Sequence, residues 1–579
     1  MPMPPHSPSA AALAVLSVLS VSALAQTTPD AGRLLDQSRQ TQRPLQPPTA
    51  APKLLDAPAR PTVELPEGAT VQVKAFRITG ARSYPAAQLD ALVAPWVGRT
   101  LDLKGLNEAA GALTRLYQAG GHVLSYAYLP AQRVDGGMVE IAVLEGKVDA
   151  VQVVTAQEVR LRDEVVQAHT DALTQAQPVL QADVERKLLL LNDMPGVVAR
   201  AAFTPGASTG TADVVVSVAE DEPLAVRVEA DNHGSRSTGE FRAGLGLQLR
   251  NISGYGDSTQ LQARVSNGGG LVSGSISSEL PVGGDGFKLG ASLSRLTYFL
   301  GGEFASLGAT GVANSLGLNA SYPLLRGTQA NLTLRAAAEH QRLNDEKLEL
   351  IEGQGQRKRN TTLALSASGD LRDSLFGGGA TAASVTLTQG DLSFVDPLKP
   401  ATATDPGDSA ALALNTARVY RKATLQLARQ QALFGPVSLY GRWLGQYSGG
   451  NLDSSEKLGL AGPAGVRAYA PGEASVDQGR LWSLELRYAV EHLGGQATLS
   501  LFHDQAEGLL LRRPIALQAG SYVPGAAQRV TLRGSGFGLQ WSDGQFGVAA
   551  SVAWRGPHEP QAEGGDPKPR LYLQLFAAP

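Results

Sequence analysis

The chain has 579 residues, a formal net charge of -3, 43% hydrophobic and 18% charged residues, and no cysteine. Its length predicts several domains. The near-neutral charge gives no electrostatic case for nucleic acid, and the lack of thiols excludes disulfide staples and cysteine-based metal or redox chemistry.

Ser9 to Ala25 is an apolar, small-residue run ending Ala23-Leu24-Ala25. This predicts a signal peptide over residues 1–25, cleaved before Gln26. Its n-region lacks Lys and Arg, leaving His6 and the amino terminus to supply the charge. The competing reading is a membrane anchor, but the run is shorter than the roughly 20 residues a spanning helix needs. No other stretch approaches a spanning helix, so an exported chain of this kind is either soluble or a closed β-barrel.

Residues 26–70 form a Pro-rich linker, with prolines at 29, 44, 47, 48, 52, 58, 61 and 66. Between them Ala31 to Gln40 can form a short polar helix with few apolar positions, Leu34 and Leu35 among them. A helix of that type is either a disordered tether or sits in an aqueous cavity.

Residues 71–148 read β-α-α-β-β. Val71 to Ile78 alternates as a strand. Pro85 opens a helix presenting Leu89, Leu92 and Val93, and Leu106 to Ala119 is a second helix stopped by Gly120-Gly121. Strands at Leu124 to Leu129 and Met138 to Val143 follow. Residues 149–222 repeat the order, with helices near Leu161–His169 and Ala182–Leu191 and closing strands at Val197–Phe203 and Ala212–Val218. Two units of about 75 residues in the same order are an internal repeat.

From Leu224 the pattern changes. Phe241 to Arg250 alternates apolar residues with Arg242, Gln248, Arg250 and glycines. Similar dyads recur at Leu261–Val265, Phe287–Leu293, Leu332–Ala336, Leu363–Ala367, Val385–Leu387, Leu425–Ala428, Val437–Leu444, Leu481–Tyr488, Ala497–Phe502, Val530–Trp541, Val548–Trp554 and Leu571–Phe576. Gly, Asn and Asp fill the breaks. Residues 223–579 thus predict a transmembrane antiparallel β-barrel, apolar outside and polar inside. At about 22 residues per strand and connection the region holds roughly 16 strands, enough for an aqueous lumen. A soluble sandwich or propeller is the alternative, and the polar faces throughout weigh against it.

Enzymatic constellations are missing. The eight histidines show no His-x-x-x-His or His-Glu-x-x-His spacing, and there is no Walker loop or Gly-x-Ser-x-Gly elbow. No catalytic residue, metal site or cofactor is expected. Two polar features stand out. Arg467 lies in the Gly-Pro-rich stretch Gly462 to Glu473, within a loop of about residues 453–479. It is either a solvated loop arginine or a buried one that needs a partner. Phe502-His503-Asp504 closes a strand whose alternation sets Leu499, Leu501 and His503 against Phe502 and Asp504. Either Asp504 faces the lumen with Phe502, or the strand ends before it.

These motifs together resemble the two-partner secretion outer-membrane transporters of the haemolysin-activator and filamentous-haemagglutinin-secretion type. Gly121-His-Val-Leu-Ser-Tyr-Ala-Tyr-Leu-Pro and Gly137-Met-Val-Glu-Ile-Ala-Val-Leu-Glu-Gly look like that family's first POTRA domain. Leu189-Leu-Leu-Asn-Asp-Met-Pro-Gly-Val looks like its second, and Asp231-Asn-His-Gly-Ser-Arg-Ser-Thr-Gly like its barrel entry. Val466-Arg467-Ala468-Tyr469 resembles the Val-Arg-Gly-Tyr lid-loop motif, and Phe502-His503-Asp504 the Phe-x-Asp motif on a neighbouring strand.

The resemblance implies two periplasmic POTRA domains before a 16-stranded barrel in the outer membrane of a Gram-negative bacterium. It implies a partner too: a large unfolded exoprotein (adhesin, haemolysin or toxin) with an amino-terminal secretion domain. Lipid and, during biogenesis, the barrel-assembly machinery are further implied partners. Arg467 would pair with Asp504 to hold the lid, and the helix bearing Leu34 and Leu35 would plug the lumen. Transport would use no nucleotide. Ala468 replaces the motif glycine, which predicts a changed loop geometry if glycine's backbone freedom is needed there. A factor that inserts other barrels is the runner-up, and a passive porin is disfavoured by the POTRA pair.

Overall fold

The computed structural model describes residues 29–40, 70–156, 159–175, 178–208, 211–346, 356–395, 416, 418–513, 515–518, 521–524, 529–557 and 568–578. The expected signal peptide and most of the linker lie outside the described residues.

The first α+β unit forms a three-stranded sheet in the order Ala75–Thr79, Met138–Leu144, Tyr126–Tyr128. Ala75–Thr79 runs parallel to the central Met138–Leu144, and Tyr126–Tyr128 antiparallel to it. Helices Ala86–Val93 and Leu103–Ala119 cover one face. The side chain of Asp102 caps the longer helix by accepting from Gly105 N at 2.8 Å. Leu89, Val93, Leu113, Tyr117, Ile141 and Val143 meet in the core. The expected strand Val71–Ile78 is broken. Val73 N bonds to Arg99 O and Lys74 N to Gly137 O, so the chain jogs there and Thr70–Gln72 pairs with Thr100–Asp102 instead.

The second unit repeats the sheet with Lys147–Thr155 parallel to a central Thr211–Glu220 and Val197–Pro205 antiparallel to it. Helices Asp163–Thr170 and Gln181–Asn192 bury Val166, Val184, Leu188 and Leu191 against Val197, Val214 and Val216. Gln181 N donates to Gly121 O at 2.8 Å and joins the units.

Sixteen strands then close a barrel. They are β1 (Leu224–Asp231), β2 (Arg242–Arg250), β3 (Ser258–Ser266), β4 (Leu271–Val282) and β5 (Phe287–Phe299). Next come β6 (Thr310–Arg326), β7 (Ala330–Glu346), β8 (Gln356–Asp373), β9 (Gly379–Phe394), β10 (Arg418–Phe434) and β11 (Val437–Ser448). The last five are β12 (Gln478–His492), β13 (Gly495–Leu509), β14 (Arg529–Ser542), β15 (Phe546–Arg555) and β16 (Arg570–Ala577). Every neighbouring pair is antiparallel, and β16 closes on β1 through Gln574↔Asp231 to Ala577↔Val228. Full closure leaves no unpaired edge, which is what a lipid environment demands of strands.

Three of these strands are absent from the alternation read in the sequence: β1, β4 and β6. Serine and glycine dilute the outward face of β4, where Gly274 and Ser278 separate Val272, Ile276 and Leu280. In β6, Pro323 and a register shift break the alternation. Outward leucines and valines such as Leu293, Leu316, Leu363, Leu365 and Leu499 are exposed around the wall, as the lipid-facing side of a membrane barrel requires.

The second α+β unit is fastened to the nearer rim. Lys187 Nζ meets Asp285 Oδ1 at 2.8 Å in the β4–β5 turn. Arg326 at the end of β6 makes a bidentate pair with Asp193 (2.7 and 2.9 Å), and Arg162 Nη1 donates to the Tyr255 hydroxyl in the β2–β3 turn at 2.7 Å. These contacts define a near rim, on the side of the α+β units; the long connections lie at the far rim.

Candidate functional site

The connection from β11 to β12 begins at Gly449 and does not stay outside the barrel. Leu458–Gly459 pairs with Ser475–Val476 as a two-stranded stem. The tip between them turns on Gly462 (φ +100°) and Gly472 (φ +87°), backbone that a side chain rarely adopts. Gly465 N bonds to Gly462 O, Val466 N to Leu460 O and Glu473 N to Ala470 O, so the tip satisfies much of its own backbone. Leu460, Val466, Tyr469 and Val476 are buried against Leu481, Phe502, Ala506 and Leu532 of the barrel's inner face.

That inner face answers the question of strand β13. It continues to Leu509, and Phe502, Asp504 and Ala506 are buried inward while Leu499 and Leu501 are exposed outward. His503 also faces out and hydrogen-bonds Ser535 Oγ at 2.8 Å. Asp504 is therefore mid-strand and lumen-facing, in register with Ser483 on β12 and Gly534 on β14.

Arg467 meets it there. The Arg467 Nε donates to Asp504 Oδ2 at 2.8 Å, Nη2 to Asp504 Oδ1 at 2.8 Å, and the Arg467 backbone N to Oδ2 at 3.1 Å. Nη2 also donates to Ser483 Oγ at 3.1 Å, and Nη1 pairs with Glu485 Oε1 at 2.9 Å. The guanidinium carbon stands 3.4 Å from the Phe502 ring centroid, a cation–π stack. Ser483 Oγ donates to Asp504 Oδ1 at 2.6 Å. All three nitrogens of the guanidinium are partnered, as a buried charge requires. Ser483 and Glu485 escaped the motif reading, although strand alternation after the lid puts both on the polar face of β12.

Val466 is fully buried, and the Tyr469 carbonyl accepts from the Tyr572 hydroxyl at 2.7 Å. Ala468 does not adopt positive φ, so the expected need for glycine's backbone freedom does not arise here. Its methyl sits against Gly534, where an added Cβ would lie 2.5 Å from it. The small residue required for close approach is on the strand.

The helix Ala31–Gln40, termed α1, lies inside the barrel. Ala31, Leu34 and Leu35 fall on one face and pack on Leu271, Leu296, Tyr298, Leu300, Ala313 and Leu343. The helix is thus one-sided rather than polar all round; its three apolar residues are few but spaced i, i+3, i+4. Burial of each leucine contributes about 1.5–3 kcal/mol. Asp30 Oδ1 accepts from Arg33 N at 2.9 Å and Asp345 Oδ1 from Ala31 N at 2.7 Å, placing two carboxylates at the helix N-terminus. Lys358 Nζ bridges Asp30 (3.0 Å) and Asp453 (2.9 Å), so one lysine of β8 ties α1 to the lid connection. Arg33 donates to the Gly472 carbonyl at the lid tip, and Arg39 pairs with Glu339 of β7. Among the described residues, no cluster of three or more His, Asp or Glu is placed to hold a metal.

A family model described as haemolysin secretion/activation protein ShlB/FhaC/HecB matches residues 210–506. A ShlB-type POTRA domain model matches residues 71–146. The heme/hemopexin transporter protein HuxB of Haemophilus influenzae is 26% identical over 566 residues, covering 95% of each chain. The outer membrane transporter CdiB of Escherichia coli is 25% identical over 480 residues, 79% of this chain and 75% of its own length. The solved structure of CdiB from Escherichia coli superposes with a TM-score of 0.69 at 19% identity, over 95% of this chain and 99% of that one, a likeness of fold.

Proposed function

The chain belongs to the haemolysin secretion/activation family of ShlB, FhaC and HecB and is a two-partner secretion transporter of the outer membrane; on that premise we propose how its parts divide the work. The two α+β units stand in the periplasm and hold an unfolded exoprotein through its amino-terminal secretion domain. Exposed sheet edges, such as Lys147–Thr155 and Val197–Pro205, offer places for an added strand. The exoprotein then passes through the barrel, and its folding outside draws it across without nucleotide.

The observation that carries this reading is a 16-stranded lumen filled by two inserts, α1 and the lid, each packed on the wall and tied to the other. A pore for small solutes needs neither a protein-binding arm nor a removable helix. The family match favours export of a partner over insertion of other barrels. Arg467 and Asp504 seat the lid, and Leu34 and Leu35 seat the plug. HuxB is a heme/hemopexin transporter protein and CdiB an outer membrane transporter. The cargo of this chain is proposed only as a large exoprotein of the adhesin, haemolysin or toxin kind.

Co-expression with a candidate exoprotein tests the reading. The expected result is exoprotein in the medium with this chain and in the periplasm without it. Outer-membrane profiling after depletion should show normal amounts of other barrels; their general loss would instead mark an assembly factor.

A further inference from the structure

On the outer wall, Arg295 of β5 stands opposite Asn314 of β6, Asn314 opposite Arg342 of β7, and Arg342 opposite Arg359 of β8. All three arginines point away from the lumen. They share strand parity with the exposed Leu293, Leu334 and Leu363, whereas Leu296, Leu343 and Lys358 between them are buried inward. Arg342 and Arg359 are direct cross-strand neighbours, with Cβ atoms about 5 Å apart, a like-charge pairing that costs stability. Among the described residues no carboxylate forms an ion pair with Arg295, Arg342 or Arg359. Arg295 Nη1 only donates to Asn314 Oδ1, at 3.1 Å.

The Arg359 end of the row has a defined height. From Arg359 to Leu371, the last outward leucine of β8, the strand rises roughly 30 Å at 3.4 Å per residue and a tilt of about 40°. That matches the hydrocarbon thickness of a bilayer. Leu363, Leu365 and Leu371 fill the face between, so Arg359 stands where headgroups begin, at the far rim. A groove of about 580 Å³ opens beside the row, with Ile276, Leu293, Leu316 and His340 in one cross-strand row below and Arg295 and Arg342 in the next row above.

We propose that this surface binds a bisphosphorylated glycolipid of the outward-facing leaflet. One phosphate bridges Arg342 and Arg359. A second engages Arg295, two strands and about 10 Å away, and an acyl chain lies along Ile276, Leu293 and Leu316. Charge-assisted bonds from guanidinium to phosphate remove the like-charge penalty. The spacing asks for two phosphates on one molecule, which a single-phosphate phospholipid does not offer. The leaflet assignment rests on the periplasmic placement of the POTRA units proposed above.

The test uses the full chain in neutral detergent, with native mass spectrometry of bound lipid. The probes are bisphosphorylated lipid A, monophosphorylated lipid A and the fully dephosphorylated form. The wild type is expected to bind the bisphosphorylated probe tenfold or more tightly than the dephosphorylated one. The triple variant Arg295→Gln, Arg342→Gln, Arg359→Gln loses that discrimination. A variant with Arg115→Gln, Arg133→Gln and Arg200→Gln in the POTRA units, equal in charge change, keeps it. Equal binding of all three probes by the wild type, or wild-type discrimination in the triple variant, overturns the proposal. Equal binding of the mono- and bisphosphorylated probes overturns the two-phosphate assignment. The wild-type comparison stands even where the triple variant fails to fold, and binding in detergent is independent of which rim faces outward. Protease access to the POTRA units in whole cells tests that orientation separately.

Discussion

Asp504 receives three hydrogen bonds from Arg467, two from the guanidinium and one from the backbone N of the same residue. The pair therefore fixes both the side chain and the backbone of the lid tip to the barrel wall. Arg467→Ala leaves Asp504 fully buried with Ser483 as its remaining side-chain donor. Breaking one side of such a pair costs about 3–5 kcal/mol, which is ample to unseat a loop. Arg467→Ala and Asp504→Ala are each expected to abolish exoprotein release while heat-modifiable gel mobility still shows an inserted barrel. Undiminished secretion by both variants would sink the seating role.

Gly534 and Ala468 make a second, steric test. A methyl on Gly534 would stand 2.5 Å from the Ala468 Cβ, with the next contacts at 3.4 and 3.5 Å. Gly534→Ala alone is expected to lift the lid and lower secretion several-fold. Ala468→Gly alone leaves secretion near wild type, and the double variant regains most of what Gly534→Ala loses. A double variant no better than Gly534→Ala would show that the two residues do not share that space.

Legibility in the sequence followed how local each signal was. The barrel class and thirteen of its strands lie in period-2 alternation, which each strand carries by itself. β4 and β6 were unmarked because serine and proline dilute the same signal; β1 alternates as cleanly as the strands that were read. Arg467 and Asp504 came from motifs; residue type alone favours a solvated loop arginine. Glu485 was within reach, two residues beyond Ser483 on the polar face of β12. Lys358 was not. Its partners Asp30 and Asp453 lie 328 and 95 residues away, and only barrel closure brings them together. The arginine row was hidden for the same reason, since register between strands is set by the whole sheet.

Lys358 predicts how the plug is retained. It is almost fully buried between Asp30 and Asp453, with Asp345 bound to the first N–H of α1 beside them. Lys358→Met leaves these carboxylates facing one another without their cation, an unpaired buried arrangement costing about 3–5 kcal/mol. The variant is expected to raise open-channel current in planar bilayers, as is Leu34→Asp, which buries a charge on the packed face of α1. Current traces like the wild type for both variants would mean that α1 does not gate the pore.

His169 gives the second POTRA unit a pH dependence. It is buried on helix Asp163–Thr170, its Nδ1 2.8 Å from the Val165 carbonyl, with Lys187 and Asp285 the charged groups that face it. Burial holds the imidazole below the usual histidine range, aided by Lys187 and opposed by the Val165 carbonyl and Asp285. The unfolded chain, with a pKa of about 6.5, therefore binds the proton more readily than the folded one. Stability from this group is complete above about 6.5 and is lost as pH falls towards the folded value, at up to about 1.4 kcal/mol per pH unit. Hydrogen exchange of residues 163–192 in the full chain should accelerate, relative to the barrel strands, between pH 7 and pH 5.5. His169→Phe should flatten that trend; an unchanged slope in the variant would assign the pH response to another group.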